Sequence, residues 1–262
     1  MDKERLEKLN SLEKKGVNAY PYSYKFSTLS KGVLSNYPKL EGSSQSVAGR
    51  ILQKRDFGKL SFCTIQDGSG KLQIMARADA LDSAQLELFS SLDLGDIIGV
   101  EGEVTKTKKG EISINAKKIT LLSKSLLPLP DKFKGLSDTE MRYRKRHLDL
   151  ISNPGIKEFF AARTKIMDAM REFLNARGYL EVDTPILQKV YGGAAAKPFT
   201  TLHNALDEKL YLRISNELYL KRLIIGGIDR VYEFSKDFRN EDIDSTHNPE
   251  FTQIEFYEAY SD

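Results

Sequence analysis

The run Phe238-Arg239-Asn240-Glu241, followed by His247-Asn248-Pro249-Glu250-Phe251, collects the residue types that an ATP-binding hairpin needs. Arg239 carries a planar fork of donors that can bridge a phosphate and a carboxylate at once, which the point charge of a lysine does less well. Glu241 can accept from the amino group of an adenine, and Phe251 offers the ring a flat apolar face. The two runs flank a polar loop in which His247 and Asn248 fall, so one hairpin would read base and phosphates from opposite ends.

Such groups need a scaffold, and 262 residues, 40% hydrophobic and 29% charged, leave room for one or two cored domains and argue against extended disorder. The net charge of +3 is too small to mark a nucleic-acid binder by itself. Cys63 stands alone, so it closes no internal disulfide; its alternating apolar neighbours make it a core residue and fit a reducing compartment. No apolar run is long enough to span a bilayer, and the start Met1-Asp2-Lys3-Glu4-Arg5 lacks the apolar centre of a signal peptide. A cytoplasmic protein with no membrane partner is expected.

Along the chain, Leu6, Leu9 and Leu12 at helical spacing, closed by Gly16, predict a peripheral helix within an extension and connector over 1–45. Residues 46–124 alternate as strands at about 47–54, 60–67, 71–77, 96–107 and 111–119, with a helical pattern through Leu81, Ala84, Leu88 and Leu92. That order, with turn chemistry at Asp67-Gly68-Ser69-Gly70 and Lys108-Lys109-Gly110, predicts an OB-fold barrel, a fold that binds oligonucleotides across one strand face. A linker over 125–150 follows, opened by Leu127-Pro128-Leu129-Pro130-Asp131-Lys132, where two prolines rule out strand or helix. Its basic cluster Arg142-Tyr143-Arg144-Lys145-Arg146-His147 reads either as a phosphate-contact surface or as a salt-bridging segment. From 151 to 262, Asn153-Pro154 can cap a long amphipathic helix carrying Phe159, Phe160, Ile166, Met170 and Phe173. Gly178 stops the helix, and Tyr179 to Pro185 then reads as a strand.

The helix and the strand ending in Pro185 resemble motif 1 of class II aminoacyl-tRNA synthetases, and the FRNE and HNPEF runs resemble their motif 2; over nearly its whole length the chain resembles the lysyl-tRNA synthetases of subclass IIb. The resemblance implies an α+β protein with an all-β module: an N-terminal OB-fold followed by the first part of an antiparallel-sheet catalytic domain. The implied chemistry is activation of lysine with ATP and Mg²⁺, then transfer to tRNA(Lys), by a homodimer joined through motif 1. Arg239 would serve catalysis and touch both ATP and lysine, while Glu241, His247, Asn248 and Phe251 would hold ATP. Gly193, Glu217, Glu255 and Tyr257 would surround the lysine: Gly193 by close backbone approach, Glu217 at the α-ammonium, Glu255 and Tyr257 from one strand face towards the side chain. An ammonium taken from water needs such oxygens.

In the barrel, Arg55, Phe62, Gln73 and Glu111 match the family's anticodon contacts, with Phe62 stacking on a uridine unless it belongs to the core. No metal ligand is expected within this chain. The family's Mg²⁺-binding carboxylates and motif 3 arginine lie beyond the position of Asp262, so the chain alone is expected to be inactive, and residues 151–262 to expose sheet edges and apolar surface. The alternative is an inactive tRNA-binding or dimerising paralogue.

Overall fold

In the computed structural model, which describes residues 2–130, 136–153 and 155–261, the chain divides into two compact units, Met1–Pro154 and Gly155–Asp262. In the first, helix α1 (Lys3–Lys14) starts at Asp2, whose carboxylate accepts from the backbone N–H groups of Glu4 and Arg5, and buries Leu9 and Leu12. Two short helices, α2 (Ser30–Ser35) and α3 (Tyr37–Leu40), lead into the barrel.

The barrel strands are β1 (Ser44–Asp56), β2 (Leu60–Gln66), β3 (Lys71–Arg77), β4 (Ile97–Lys106) and β5 (Ile112–Ser123), with helix α4 (Ser83–Ser91) between β3 and β4. They close in the order β1-β2-β3-β5-β4, antiparallel except where β3 meets β5, which leaves no unpaired edge. Alternation does the sorting. Ile65, Ile74, Ile98, Val104 and Ile114 point inward and are fully covered, and Cys63 joins them, its thiol pushed up to about 12 by burial. Phe62, of opposite parity, stays on the outer face and is not core.

Helices α5 (Thr139–Arg144) and α6 (Arg146–Ser152) carry the basic cluster. Asp149, fully buried, accepts from Asn153, from Arg142 at 2.8 Å and from Arg146, and these donors hold its carboxyl below the usual range. Arg144 pairs with Glu140 at 2.6 Å. Of the two readings of this cluster, the geometry favours the salt-bridging one.

The second unit opens with helix α7 (Ile156–Asn175), and here the capping expectation fails. The N-cap is Gly155; Asn153 ends α6 instead, its amide donating to Leu136 and Asp149, and Pro154 lies outside the described residues. Of the apolar residues on α7 only Leu174 is buried, while Phe159, Phe160, Ile166, Met170 and Phe173 are exposed. The strand after it shrinks to β6 (Leu180–Glu181), parallel to β10 (Arg230–Phe238), which pairs antiparallel with β11 (Glu250–Glu258). A second sheet takes β7 (Leu187–Gln188), β9 (Glu208–Leu212) and β8 (Thr200–His203), in that order, and helix α8 (Glu217–Ile225) follows it.

Candidate active site and nucleic-acid face

On β10 the residues of one parity, Val231, Glu233, Ser235 and Asp237, are all buried, an unusual interior because two of the four are acids. Register places Glu233 opposite Glu255 and Asp237 opposite Phe251, so Phe251, Gln253, Glu255 and Tyr257 line the same face. Two carboxylates directly opposed would repel. Arg213 resolves this: its guanidinium meets Glu233 at 2.6 Å and Asp237 at 3.1 Å, and donates to the carbonyls of Lys236 and Thr184. Thr184 and Asn216 supply further donors to Glu233. Asp237 keeps one oxygen without a hydrogen bond, and burial pushes its carboxyl up to about 6 against the opposing pull of Arg213. The backbone carbonyl of Arg213 also accepts from Phe238, which fixes the strand end from which Arg239 departs.

With Glu233 neutralised, Glu255 is the carboxylate left over. It accepts from the neutral groups of Ser215 at 3.0 Å, Gln253 at 2.5 Å and Tyr257 at 3.2 Å, and no Lys, Arg or His pairs with it among the described residues. Burial, then the charges of Glu255 and Glu217, raise the Tyr257 hydroxyl well above the usual tyrosine range. Glu217 opens α8, and its carboxylate is held by Lys221 at 2.7 Å, one turn on. Gly193 has φ +87, and a Cβ there would lie 2.9 Å from Ser215 Oγ and 3.0 Å from Glu217 Cβ, so only glycine fits against these two residues. Gly193, Glu217, Glu255 and Tyr257 are thus brought together around Ser215.

Arg239 sits just past β10, half-buried, its guanidinium 5.0 Å from the centroid of the Phe251 ring and its Nε without a hydrogen-bond partner among the described residues. One face of Phe251 is therefore covered by Arg239. Four residues of extended strand separate Phe251 from Glu255, roughly 13 Å, with the cation at one end and the unpaired carboxylate at the other. Glu241 is engaged differently from the sequence expectation: its carboxylate accepts from the backbone N–H of Lys197 at 3.1 Å, while Asn240 N–H donates to the Lys197 carbonyl at 2.7 Å. The hairpin and the loop carrying Gly193 are thereby tied together. His247 is exposed and meets Asp244 at 2.8 Å, a carboxyl held well below its usual range by the Thr246 and His247 donors around it; Asn248 is exposed nearby.

Sequence reasoning missed Arg213, Ser215 and Glu233. The signal available was the run of same-parity polar residues in β10, which no ordinary core strand carries.

On the barrel, Arg55 pairs with Phe62 across β1 and β2, and Phe62 with Met75 across β2 and β3, while Gln73 donates to Ser113 at 2.9 Å. These side chains share the outer face. Glu111 lies just before β5, exposed, its N–H donating to the Thr107 hydroxyl at 3.1 Å.

Two families match along the chain. Residues 138–262 match the family described as tRNA synthetases class II (D, K and N), and residues 45–122 match the OB-fold nucleic acid binding domain. A lysine–tRNA ligase of Carboxydothermus hydrogenoformans is 52% identical over 260 residues, covering 99% of this chain and 53% of the relative. One of Syntrophomonas wolfei is 49% identical over 262 residues, covering 100% and 53%, and one of Thermoanaerobacter pseudethanolicus is 53% identical over 259 residues, covering 98% and 52%. The chain spans about half the length of the relatives it matches.

Proposed function

Since the chain belongs to the class II tRNA synthetases of the D, K and N group, with an OB-fold ahead of the catalytic fold, we propose that it forms the anticodon-reading and motif 1–motif 2 part of a lysine–tRNA ligase. In this reading 46–124 binds the anticodon of tRNA(Lys) and 151–262 contributes to lysine activation and transfer. The observation that carries the choice of amino acid is Glu255: a carboxylate hydrogen-bonded by three neutral donors, with no cation of its own among the described residues, beside Glu217. A substrate ammonium satisfies it, whereas an aspartate side chain would be repelled.

Arg239 then faces the anions. Activation joins the lysine carboxylate to the α-phosphate of ATP while charge builds on the phosphoryl oxygens, and a fixed guanidinium with an unspent N–H is suited to both. The Phe251 ring supports the guanidinium from one side, and Glu241, released from Lys197, can accept from the adenine amino group. His247 and Asn248, exposed in the loop between β10 and β11, would hold ATP. Mg²⁺ accompanies ATP in this chemistry; among the described residues no group of three His, Cys, Asp or Glu is placed to hold a metal ion. The exposed apolar face of α7 suits a second copy of the chain, as a motif 1 dimer requires. Among the described residues no helix is long and apolar enough to cross a membrane, and a tRNA substrate is in keeping with a cytoplasmic location.

The test is lysine-dependent pyrophosphate exchange by a ligase that contains this chain together with the rest of the catalytic fold. Arg239→Ala is expected to cost roughly 3 kcal/mol of transition-state stabilisation, as loss of a charge-stabilising donor does. Glu255→Gln should raise the KM for lysine far more than that for ATP. Near-normal exchange by the Arg239 variant would sink the assignment.

A further inference from the structure

The β1–β2 turn carries an aromatic side chain that the reading above leaves idle. Phe57 is 66% exposed, a large apolar surface to leave in water at a hairpin tip. Its N–H donates to the Leu60 carbonyl at 2.9 Å, and Gly58, at φ +73, supplies the left-handed residue that a two-residue hairpin loop requires. The ring contact fixes where Phe57 points. Phe57 follows Asp56, the last residue of β1, and meets Phe62, the outward-facing partner of Arg55, so it stands on the outer side of the barrel beside Phe62. The two rings meet edge to face, 6.2 Å between centroids and 73° between planes.

We propose that Phe57 is a second base-stacking platform of the barrel, taking a single-stranded RNA base next to the one on Phe62; the proposal rests on the anticodon-binding reading of this face. A pair of rings set nearly at right angles cannot hold two bases in one continuous stack. It suits instead a strand that turns between one base and the next, as unstacked loop nucleotides do. Arg55, exposed beside the pair, meets only the Gln53 amide oxygen at 3.4 Å among the described residues, leaving its guanidinium for the phosphates of that strand. The hairpin tip and the strand face are also the two parts of an OB-fold that contact oligonucleotides.

The experiment uses the 262-residue chain and an RNA hairpin with UUU in its loop, with binding followed by fluorescence anisotropy over a range of salt. Phe57→Leu, which keeps apolar bulk but removes the ring, should weaken binding about tenfold, the loss of one base stack, with the slope of log K against log salt unchanged. Phe57→Trp should restore it. An unaltered melting temperature for Phe57→Leu separates stacking from a structural effect. If Phe57→Leu binds as the parent does while Phe62→Leu is weakened, the proposal fails and the anticodon reading stands. If the parent chain does not prefer the UUU hairpin over one with an AAA loop, the anticodon reading falls and the proposal with it.

Discussion

In residues 1–154 the buried interior is overwhelmingly apolar, one continuous cluster running from Leu9 to Leu121, whereas in residues 155–261 Leu174, Leu210, Ile214, Leu220, Val231 and Tyr232 share the interior with Gln188, Arg213, Ser215, Asn216, Glu233, Ser235 and Asp237. The barrel spends its burial on hydrophobic stabilisation, which is non-directional and tolerant of small shifts. The second unit spends it on hydrogen bonds and ion pairs, which stabilise little on balance but fix geometry. Fixed positions mark the second unit, where Arg239 lies against the Phe251 ring and Glu255 stands four residues further along β11. The second unit also leaves Phe159, Ile166 and Phe173 in water, so it is the less self-sufficient of the two.

The sharpest way to break this contrast is to remove the charge that organises the second interior. Arg213→Ala leaves Glu233 and Asp237 buried without their cation, and such a loss costs about 3 to 5 kcal/mol. Hydrogen exchange followed by mass spectrometry should show lost protection in β9 and β10 with the barrel strands unchanged. Equal loss in β2 and β3 would mean that the units do not have separate interiors. The reciprocal change is Ile74→Ala, at a fully buried barrel position, expected to cost about 3 kcal/mol as a core truncation and to leave exchange in β10 and β11 as it was.

The same contrast explains what could be read beforehand. Period-two alternation and the Asp67-Gly68-Ser69-Gly70 turn place the barrel strands within a few residues, because there a single physical term sorts the side chains. Gly193 was singled out only by the family resemblance, for close approach to a substrate; the structure shows a different crowding, with its Cβ space taken by Ser215 and Glu217. The Arg213–Glu233–Asp237 network was not legible. Arg213 lies 20 residues before Glu233, just past the end of β9, while both acids stand on β10, and nothing local says which acid meets which base. The basic cluster left two readings open for a related reason, since the partner that decides between them, the Asp149 carboxylate, lies inside the same helical pair. The start of α7 was misplaced because Asn153 had a stronger use, bonding Asp149 and Leu136 at the end of the preceding helix.

A gentler probe is pH, and here the two units should respond with opposite sign. Burial raises the Asp237 carboxyl to about 6 in the folded chain, above its ordinary value of 3.8, so between these limits the folded state binds the extra proton. Stability then falls as pH rises through this window, and acidifying from pH 7 to 5 should stabilise the second unit by about 1 kcal/mol. In the barrel unit the carboxyls of Asp67, Asp93 and Asp149 are held below 3.8 by their donors; what they contribute is complete above that value and is lost only as pH falls beneath it. Hydrogen exchange corrected for intrinsic rate should therefore show β10 gaining protection between pH 7 and 5 while β2 and β3 stay level, and the barrel weakening only in stronger acid. Asp237→Asn, which cannot titrate, should abolish the gain in β10. A gain that persists in that variant would assign the effect to another group and leave the acid in the second interior ionised throughout, its charge met by Arg213 alone.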